Sequence, residues 1–340
     1  MKALWLYGPG DLRLVDEAPP LPGPGEELVR VKAVGICGSD LHWFTESGIG
    51  DVRLAQPVLL GHEAAGVIES GPRAGLRVAI DPAMPCEKCE KCEQCRAGHA
   101  HFCTALHFAG DGVTDGVFRE LVAWPSDSLV PVPDALTYAD AAMLEPLGVG
   151  LHAIRLGGIR PGERVGVFGC GPIGIFLIQL ARLSGATTIV ATDVLPHRLA
   201  AARAAGATAT ALVAGGSERA ELRAATDGHG VDVAFEAAGV DDSVDTAVSL
   251  AAPGGTVVIV GISSSDRTTF TASPARRKGL TIKISRRMNR VYPEVIRLVE
   301  AGLADVRSVV TASYPMREVE AAFAAAAART GEKVVVRPSE

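Results

Sequence analysis

The chain lacks three features that would place it in broad classes of protein. It has no excess of positive charge, since the formal net charge is −6, and this argues against nucleic acid or an acidic membrane as a partner. Its longest apolar stretch, residues 165–181, contains four glycines and a proline, which predicts a strand, a turn and a buried helix instead of a membrane span. The apolar stretch at the N-terminus is too short for a signal peptide, so we expect a cytoplasmic protein.

Cysteine is also scarce, and most of it is concentrated in one place. Only seven cysteines occur among 340 residues, and five of them fall between Cys86 and Cys103. Closely spaced Cys-x-x-Cys steps suit Zn²⁺, which binds four thiolates tetrahedrally at ~2.3 Å. Disulfides fit less well, because the chain is large, the cysteine count is odd and no secretion signal is present. A redox cluster stays open as an alternative to the metal site.

The pattern of apolar residues predicts two domains. Residues 2–130 consist of short β-like runs punctuated by glycine and proline, which indicates an irregular, barrel-like β domain. From Arg160 onward, apolar runs alternate with alanine-rich segments, as is typical of an α/β fold with a doubly wound parallel sheet. We assign residues 1–147 and 288–340 to the first domain and residues 148–287 to the second. The predicted strands of this region are 164–168, 188–193, 210–213, 231–235, 256–260 and 281–285, followed by a final strand, 333–337, that returns to the first domain.

A glycine motif at the start of the second domain predicts a dinucleotide site. Gly169, Gly171 and Gly174 form G-x-G-x-x-G between a β-like run and an apolar helix, and Asp193 follows nineteen residues after Gly174. The three glycines permit a tight turn, close approach of the backbone to a pyrophosphate, and close packing of helix on strand. Asp193 would accept from the adenosine ribose and repel a 2′-phosphate, which favours NAD, with Arg198 near the adenine. The alternative is a glycine-rich turn that binds nothing.

Isolated ligand-type residues predict a second metal site in the first domain. Cys37 lies in V-G-I-C-G-S-D-L-H, His62 and Glu63 follow a leucine-glycine pair, and Glu145 lies in L-E-P. Each of these residues alone is more simply explained as buried structure or as surface. Together they supply the mixed cysteine, histidine and carboxylate ligands of a catalytic zinc with an open position.

The same motifs resemble the zinc-dependent medium-chain dehydrogenases of the alcohol dehydrogenase superfamily. The motifs G-I-C-G-S-D-L-H, G-H-E-A-A-G, the cysteine run, L-E-P-L-G-V-G-L-H-A and G-C-G-P-I-G occur in the order of that family and cover the chain. The sequence G-I-G-D-V before P-V-L-L-G-H-E and the pair Arg286-Arg287 resemble the polyol (sorbitol or L-iditol) dehydrogenase branch. The resemblance implies a GroES-like, irregular β-barrel catalytic domain and a Rossmann NAD-binding domain.

The resemblance also implies roles for individual residues. Cys37 and His62 would bind the catalytic zinc, with Glu63 and Glu145 as carboxylates that ligate the metal or hold its water. The family spacing Cys-x2-Cys-x2-Cys-x7-Cys selects Cys89, Cys92, Cys95 and Cys103 for a structural zinc, and it leaves Cys86 over. Ser39 and His42 match a relay that carries the substrate proton to solvent. The residues that match NAD contacts are Gly169, Gly171, Ile173, Gly174, Asp193, Arg198, Val260, Gly261, Ile262, Ser285, Arg286 and Arg287.

The family pocket for the polyol corresponds to Trp43, Glu145, Arg286 and Arg287. Trp43 and Arg287 stand where the animal sorbitol enzymes have tyrosines, and those enzymes lack the cysteine lobe, so the lobe resembles bacterial members. Arg286, Arg287 and Arg290 form a basic cluster. This cluster is either a solvated patch or a means of recognising substrate hydroxyls or a carboxylate through guanidinium groups.

We therefore predict an NAD-dependent zinc enzyme that oxidises a secondary alcohol of a polyol, sugar alcohol or cyclitol to the ketone. L-threonine 3-dehydrogenase and butanediol dehydrogenase are the alternatives within the class. A non-catalytic or redox-sensing zinc protein is the alternative from another class. The expected cofactors are NAD and two zinc ions per chain, one catalytic and one structural. The expected partners are a small alcohol and further copies of the chain in a homodimer or homotetramer.

Overall fold

The computed structural model describes residues 1–86 and 92–340 and divides into two compact units. The first comprises Met1–Glu145, Tyr292–Glu300 and Val306–Glu340, and the second comprises Pro146–Val291 and Ala301–Asp305. Residues 146–147, 288–291 and 301–305 were predicted in the first domain but lie in the second unit. The segment 301–305 is bound by Gln179, whose side-chain amide donates to the carbonyl of Asp305 at 3.1 Å and accepts from its N–H at 2.8 Å.

Strands and helices are numbered in chain order over the described residues. The strands are β1 (Lys2–Gly8), β2 (Asp11–Asp16), β3 (Glu26–Gly35), β4 (Gly48–Ile49), β5 (Val52–Arg53), β6 (Val58–Leu59), β7 (Glu63–Ile68), β8 (Arg77–Ile80), β9 (Ala83–Met84), β10 (His107–Phe108), β11 (Leu121–Pro125), β12 (Leu129–Pro131), β13 (Arg164–Phe168), β14 (Thr188–Asp193), β15 (Ala209–Leu212), β16 (Val231–Glu236), β17 (Ala251–Ile259), β18 (Thr281–Ile284), β19 (Val310–Pro315) and β20 (Lys333–Arg337). The helices are α1 (Gly38–Glu46), α2 (Glu93–Arg96), α3 (Tyr138–Ala142), α4 (Leu144–Gly157), α5 (Pro172–Leu183), α6 (Pro196–Ala205), α7 (Ser217–Ala224), α8 (Asp241–Leu250), α9 (Ala272–Lys278), α10 (Tyr292–Glu300) and α11 (Val319–Ala327). None of the helices in the described residues combines the length and hydrophobicity that crossing a bilayer requires.

The first unit is built around a seven-stranded sheet in the order β12-β8-β7-β3-β20-β19, with β11 also paired to β3. A smaller sheet, β2-β1-β6, packs into the same core. The C-terminal strand β20 runs antiparallel to β3, with Val335 opposite Gly35 and Val336 opposite Val34. The predicted return of the C-terminus to the first domain is therefore observed, and it brings β20 beside the segment that leads into Cys37.

The second unit contains a six-stranded, all-parallel sheet in the order β15-β14-β13-β16-β17-β18. Numbered within the sheet, this is the order 3-2-1-4-5-6 of doubly wound dinucleotide-binding folds. Pro172 and Pro196 begin α5 and α6, where a fixed φ favours the first helical turn and the missing N–H has no cost. The doubly wound sheet predicted from the alternation of apolar runs is confirmed.

Candidate functional site

The glycine motif lies at the carboxyl end of β13 and opens α5. Gly169 has a φ of +101°, and a Cβ there would lie 2.7 Å from the backbone nitrogen of Ala238. A Cβ at Gly174 would lie 2.0 Å from the carbonyl oxygen of Gly169, so only glycine lets the helix pack this closely on the turn. Gly171 is the N-cap of α5 and faces the guanidinium of Arg198 on α6. In dinucleotide-binding folds, the N–H groups at such a helix start bind the pyrophosphate.

The other predicted cofactor residues cluster at the same edge of the sheet. Asp193 ends β14, where its carboxylate accepts from the N–H of Cys170 at 2.8 Å and from that of Leu195 at 2.9 Å. The acid thus holds the glycine turn itself, and its oxygens keep lone pairs for a ribose hydroxyl. Residues 260–262 follow β17, and Arg286 follows β18 and is exposed. In open parallel sheets this carboxyl edge is where ligands bind.

In the first unit, strand pairing brings together ligand residues that are far apart in sequence. Gly35 at the end of β3 lies opposite Glu63 at the start of β7. Cys37 follows β3 by two residues, and His62 immediately precedes β7. Ligand atoms of Cys37, His62 and Glu63 consequently lie within 4.8 Å of one another. His62 and Glu63 are buried, at 6% and 1% exposure, and Cys37 is half-buried.

Two further residues hold this arrangement. A Cβ at Gly35 would lie 2.1 Å from Oε2 of Glu63, so the absence of a side chain there leaves room for the carboxylate. Asp40 in the first turn of α1 accepts from the N–H of Cys37 at 2.8 Å and from that of Gly61 at 3.1 Å. Its Oδ1 lies 3.8 Å from Nδ1 of His62. Asp40 therefore joins the two ligand-bearing segments.

The electrostatics of this cluster fit a divalent cation. Burial raises the pKa of the Cys37 thiol to about 12, and the charge of Glu63 adds to that effect. Burial also raises the pKa of Glu145, in the first turn of α4, to about 8. The charges of His62 and Lys333 lower this pKa, and those of Glu63 and Cys37 raise it. Several acidic groups thus share a buried region, and a divalent cation there would favour their ionised, ligating forms. Glu145 lies outside the group of three within 4.8 Å, so it is the more distant of the two glutamates.

Lys333 provides a positive charge in this cluster. Its Nζ donates to both carboxylate oxygens of Glu63 at 2.7 Å and to the carbonyl of Ile36 at 3.1 Å. The side chain is only 4% exposed. Burial alone would lower the pKa of Lys333. The charges of Glu63 and Cys37 outweigh that effect and raise this pKa, so the ammonium stays protonated. Lys333 therefore fixes Glu63 in place and balances its charge.

The predicted relay residues lie on α1. Ser39 is half-buried, and its Oγ lies 3.5 Å from Nε2 of His62. His42, one turn further along, is partly exposed, and its Nδ1 lies 3.2 Å from a carboxylate oxygen of Glu46. Trp43 on the same helix is only 1% exposed and packs in the hydrophobic core of the unit against Gly112. Its role in a substrate pocket stays a prediction, as does that of Arg287, which is half-buried with a φ of +54°.

The cysteine lobe forms a second group of potential ligands. The sulfur atoms of Cys86, Cys92, Cys95 and Cys103 all lie within 4.8 Å of one another. The backbone N–H groups of Cys95 and Thr104 lower the pKa of Cys92 to about 6, whereas burial raises the pKa of Cys95 to about 11. This donor set fits a closed, four-thiolate zinc site. Cys89, which the family spacing selects, lies outside the described residues, whereas Cys86, left over by that spacing, belongs to the group.

Sequence reasoning missed Asp40 and Lys333. Asp40 occupies the third position of α1, where an acidic residue is common for capping alone, so its type carried no sign of a second role. Lys333 begins an apolar strand that lies 270 residues from its partner Glu63, and only the pairing of β20 with β3 reveals the contact.

Comparisons with known proteins place this geometry in a family. The alcohol dehydrogenase GroES-like domain matches residues 23–134, and the zinc-binding dehydrogenase domain matches residues 172–301. The sorbitol dehydrogenase of Bacillus subtilis is 32% identical over 100% of the chain and 98% of that protein. A probable D-xylulose reductase A of Aspergillus terreus is 36% identical, over 94% of the chain and 92% of that protein.

A solved structure agrees with these sequence matches. The protein described as a zinc-binding dehydrogenase of Sinorhizobium meliloti bound to NADP has a TM-score of 0.86 and 31% identity, over 99% of each chain. The family that the motifs resemble is therefore confirmed, and so is its two-domain fold. The chain belongs to the zinc-dependent medium-chain dehydrogenases, in the branch that contains the sorbitol dehydrogenases.

Proposed function

We propose that the protein oxidises a secondary alcohol of a sugar alcohol or cyclitol to the ketone, with hydride transfer to NAD⁺. The observation that carries the proposal is the group of Cys37 and the buried His62 and Glu63, with Glu145 nearby. These residues would hold the catalytic zinc. When bound, zinc supplies a Lewis acid that lowers the pKa of the substrate hydroxyl, and the nicotinamide supplies the hydride acceptor. The chain's own groups position the ligands, limit access of water and move the proton.

We assign the proton transfer to Ser39 and His42. Ser39 lies beside His62 at the cluster, whereas His42 is one helical turn away and partly exposed. Residues three apart on a helix share a face, so α1 places a hydroxyl at the site and an imidazole toward water on one side. The hydroxyl of Ser39 would accept the substrate proton, and the imidazole of His42 would release a proton to solvent. Histidine is suited to that step because it ordinarily titrates between pH 5 and 8.

Replacing His42 by glutamine is expected to slow alcohol oxidation about tenfold and to change the pH dependence of kcat near neutrality. The amide of glutamine cannot take up or release a proton. A positioned acid or base raises the rate by 10²–10⁴-fold, and we expect a smaller factor because His42 would carry out only the release to solvent. The measurement is kcat across pH 5.5–9 for the wild type and the variant. His229→Gln, at an exposed loop histidine, serves as the control. An unchanged pH profile would remove His42 from the relay.

NAD is the proposed cofactor because of Asp193, whose carboxylate at the end of β14 would accept from the ribose hydroxyls. We expect Asp193→Ala to lower kcat/KM for NAD⁺ by about 10–100-fold, since hydrogen bonds to charged groups contribute ~1.5–3 kcal/mol. The preference for NAD⁺ over NADP⁺ should fall as well, because the charge that repels a 2′-phosphate is gone. Asp193→Asn removes the charge but keeps an acceptor for the N–H of Cys170, so it shows the effect of the charge while the glycine turn is preserved. An unaltered preference in both variants would contradict the assignment.

Two zinc ions per chain are proposed, one for each group of ligands. Metal analysis of protein purified without chelators measures this number. One zinc or none would indicate a degenerate relative or a redox-sensing protein instead of an enzyme with both sites.

We further propose a cytoplasmic homo-oligomer. β18 is an outer strand of the six-stranded sheet, paired within the described chain to β17, and its Ile284 is 75% exposed. Such an edge is suited to pairing with a second copy. Light scattering on the full chain measures the mass of the assembly.

The activity is tested by NAD⁺ reduction with sorbitol, xylitol, cyclitols, L-threonine and 2,3-butanediol. The proposal expects the highest kcat/KM with a polyol or cyclitol. Turnover confined to L-threonine or butanediol would replace the polyol assignment by the alternative within the class. The absence of turnover with every alcohol, in protein that contains zinc and binds NADH, would favour a non-catalytic protein.

A further inference from the structure

The cysteine lobe contains a repeat that leaves its ligand register open. Residues 86–95 read C-E-K-C-E-K-C-E-Q-C, so the unit Cys-Glu-Lys or Cys-Glu-Gln occurs three times in succession. A pattern of Cys-x2-Cys-x2-Cys therefore begins at Cys86 as well as at Cys89. A shift of three residues reproduces the same order of thiols, and spacing to Cys103 is then the only basis for a choice.

The four described sulfur atoms of the lobe form one group. Sγ of Cys86 lies 3.2 Å from Sγ of Cys103 and 4.0 Å from Sγ of Cys95, and Sγ of Cys92 lies 3.9 Å from Sγ of Cys103. Four sulfurs at ~2.3 Å from a tetrahedral zinc are ~3.8 Å apart. The four described thiols are therefore already grouped at separations close to those that the metal imposes.

The position of Cys86 is fixed by the fold on both sides of the lobe. It follows β9 by two residues, and β9 pairs with β10 through Met84 opposite His107. Cys103 precedes β10 by four residues. The strand pair thus brings the start and the end of the lobe together whatever lies between them. The N–H of Cys86 donates to Sγ of Cys103 at 3.3 Å, a hydrogen bond that stabilises a thiolate.

We infer that Cys86 is a ligand of the lobe zinc, together with Cys92, Cys95 and Cys103. Four thiolates complete a structural zinc site, so this site does not use Cys89. The inference rests on the proposal that the lobe binds zinc, and it departs from the family spacing, which discards Cys86. In sequence, the chain would then carry one additional triplet between Cys86 and Cys92.

Thiol accessibility in the zinc-loaded protein tests the inference without any substitution. The native full chain is treated briefly with N-ethylmaleimide, digested, and analysed by mass spectrometry. We expect Cys89 to be modified at least about tenfold faster than Cys86, Cys92, Cys95 and Cys103, because zinc-bound thiolates are shielded. Treatment with a chelator in mild denaturant should remove the difference. Fast modification of Cys86 with protection of Cys89 would overturn the inference and leave the zinc proposal intact.

Substitution supplies the second test, with Cys89→Ser as the matched control for Cys86→Ser. Cys86→Ser is expected to lose about one zinc per chain or to release it to a chelator at least about tenfold faster, since even outer partners of a metal contribute 10–100-fold to affinity. Cys89→Ser should keep the wild-type zinc content and release rate. Cys103→Ser, which removes a ligand common to the inferred set and the family set, shows the effect of a true ligand. Loss of zinc from Cys89→Ser, alone or equally with Cys86→Ser, would overturn the assignment.

A lobe that binds no zinc would give a different result from a lobe that binds zinc without Cys86. If the lobe binds no metal, a chelator leaves the alkylation rates of the native lobe unchanged, and Cys103→Ser keeps the wild-type zinc content. That result would overturn the structural zinc as well as the role of Cys86. If Cys86→Ser does not fold, the difference in alkylation rates decides alone, because it is measured on the unmodified chain.

Discussion

Replacing His62 by alanine lowers kcat/KM for alcohol oxidation by at least about 10³-fold. The substitution removes one of three ligand side chains whose donor atoms lie within 4.8 Å of one another. A Lewis acid at such a site stabilises developing charge by several kcal/mol, and about 4 kcal/mol corresponds to a thousandfold in rate. The measurements are initial rates of NADH formation with the best alcohol of the panel and zinc per chain.

Two accompanying results distinguish loss of the site from loss of the fold. The zinc content should fall by about one ion per chain, because the ligands of the cysteine lobe are untouched. Affinity for NADH should change less than about threefold, since the glycine motif and Asp193 belong to the other unit. His229→Ala, at an exposed histidine of a loop, provides the control with wild-type activity. A His62→Ala enzyme with its full zinc content and more than a tenth of its activity would refute the catalytic site.

Much of the second unit was predictable because its pattern is local. The strands predicted at 164–168 and 188–193 coincide with β13 and β14, and the others differ at their ends. A buried parallel strand is a short apolar run, and the glycine motif marks the turn that follows it. β17 begins at Ala251, five residues before its predicted start, because Pro253 and the two glycines after it look like a turn. At this end of β17, Ala251 pairs with Val231 of β16, and the register of the two strands shifts between Val231 and Val233.

The first unit was less predictable because its contacts are distant in sequence. Residues 2–130 were expected to contain strands and turns, yet α1 begins directly after Cys37 and carries Ser39 and His42. The ligand types were recognisable from the motifs, and the pairing of β3 with β7 explains why Cys37 and Glu63 meet. Lys333 could not be connected with them, since a lysine at the start of an apolar strand is ordinarily exposed.

Replacing Lys333 by methionine destabilises the first unit and slows the enzyme. Methionine keeps the length of the side chain, but Glu63, only 1% exposed, loses the ammonium that donates to both of its oxygens. Removing one partner of a buried ion pair costs about 3–5 kcal/mol, which for a unit of this size lowers Tm on the order of 10 °C. At temperatures where the variant is folded, kcat should still fall at least about tenfold, because Glu63 is no longer held beside Cys37 and His62.

A double-variant cycle decides whether the pair itself carries these effects. Glu63→Gln removes the carboxylate charge, so Lys333→Met combined with Glu63→Gln should be more stable than the sum of the single losses predicts, by about 1–3 kcal/mol. Lys333→Arg keeps the charge and should restore part of both Tm and kcat. Because the pKa of Lys333 is raised, its contribution is fully present below about pH 10.4 and is lost as the pH rises through the higher value in the folded state. The ammonium of Lys333 itself therefore stays charged from pH 7 to 9. Additive losses, or a kcat that follows Tm alone, would make Lys333 a packing residue without influence on Glu63.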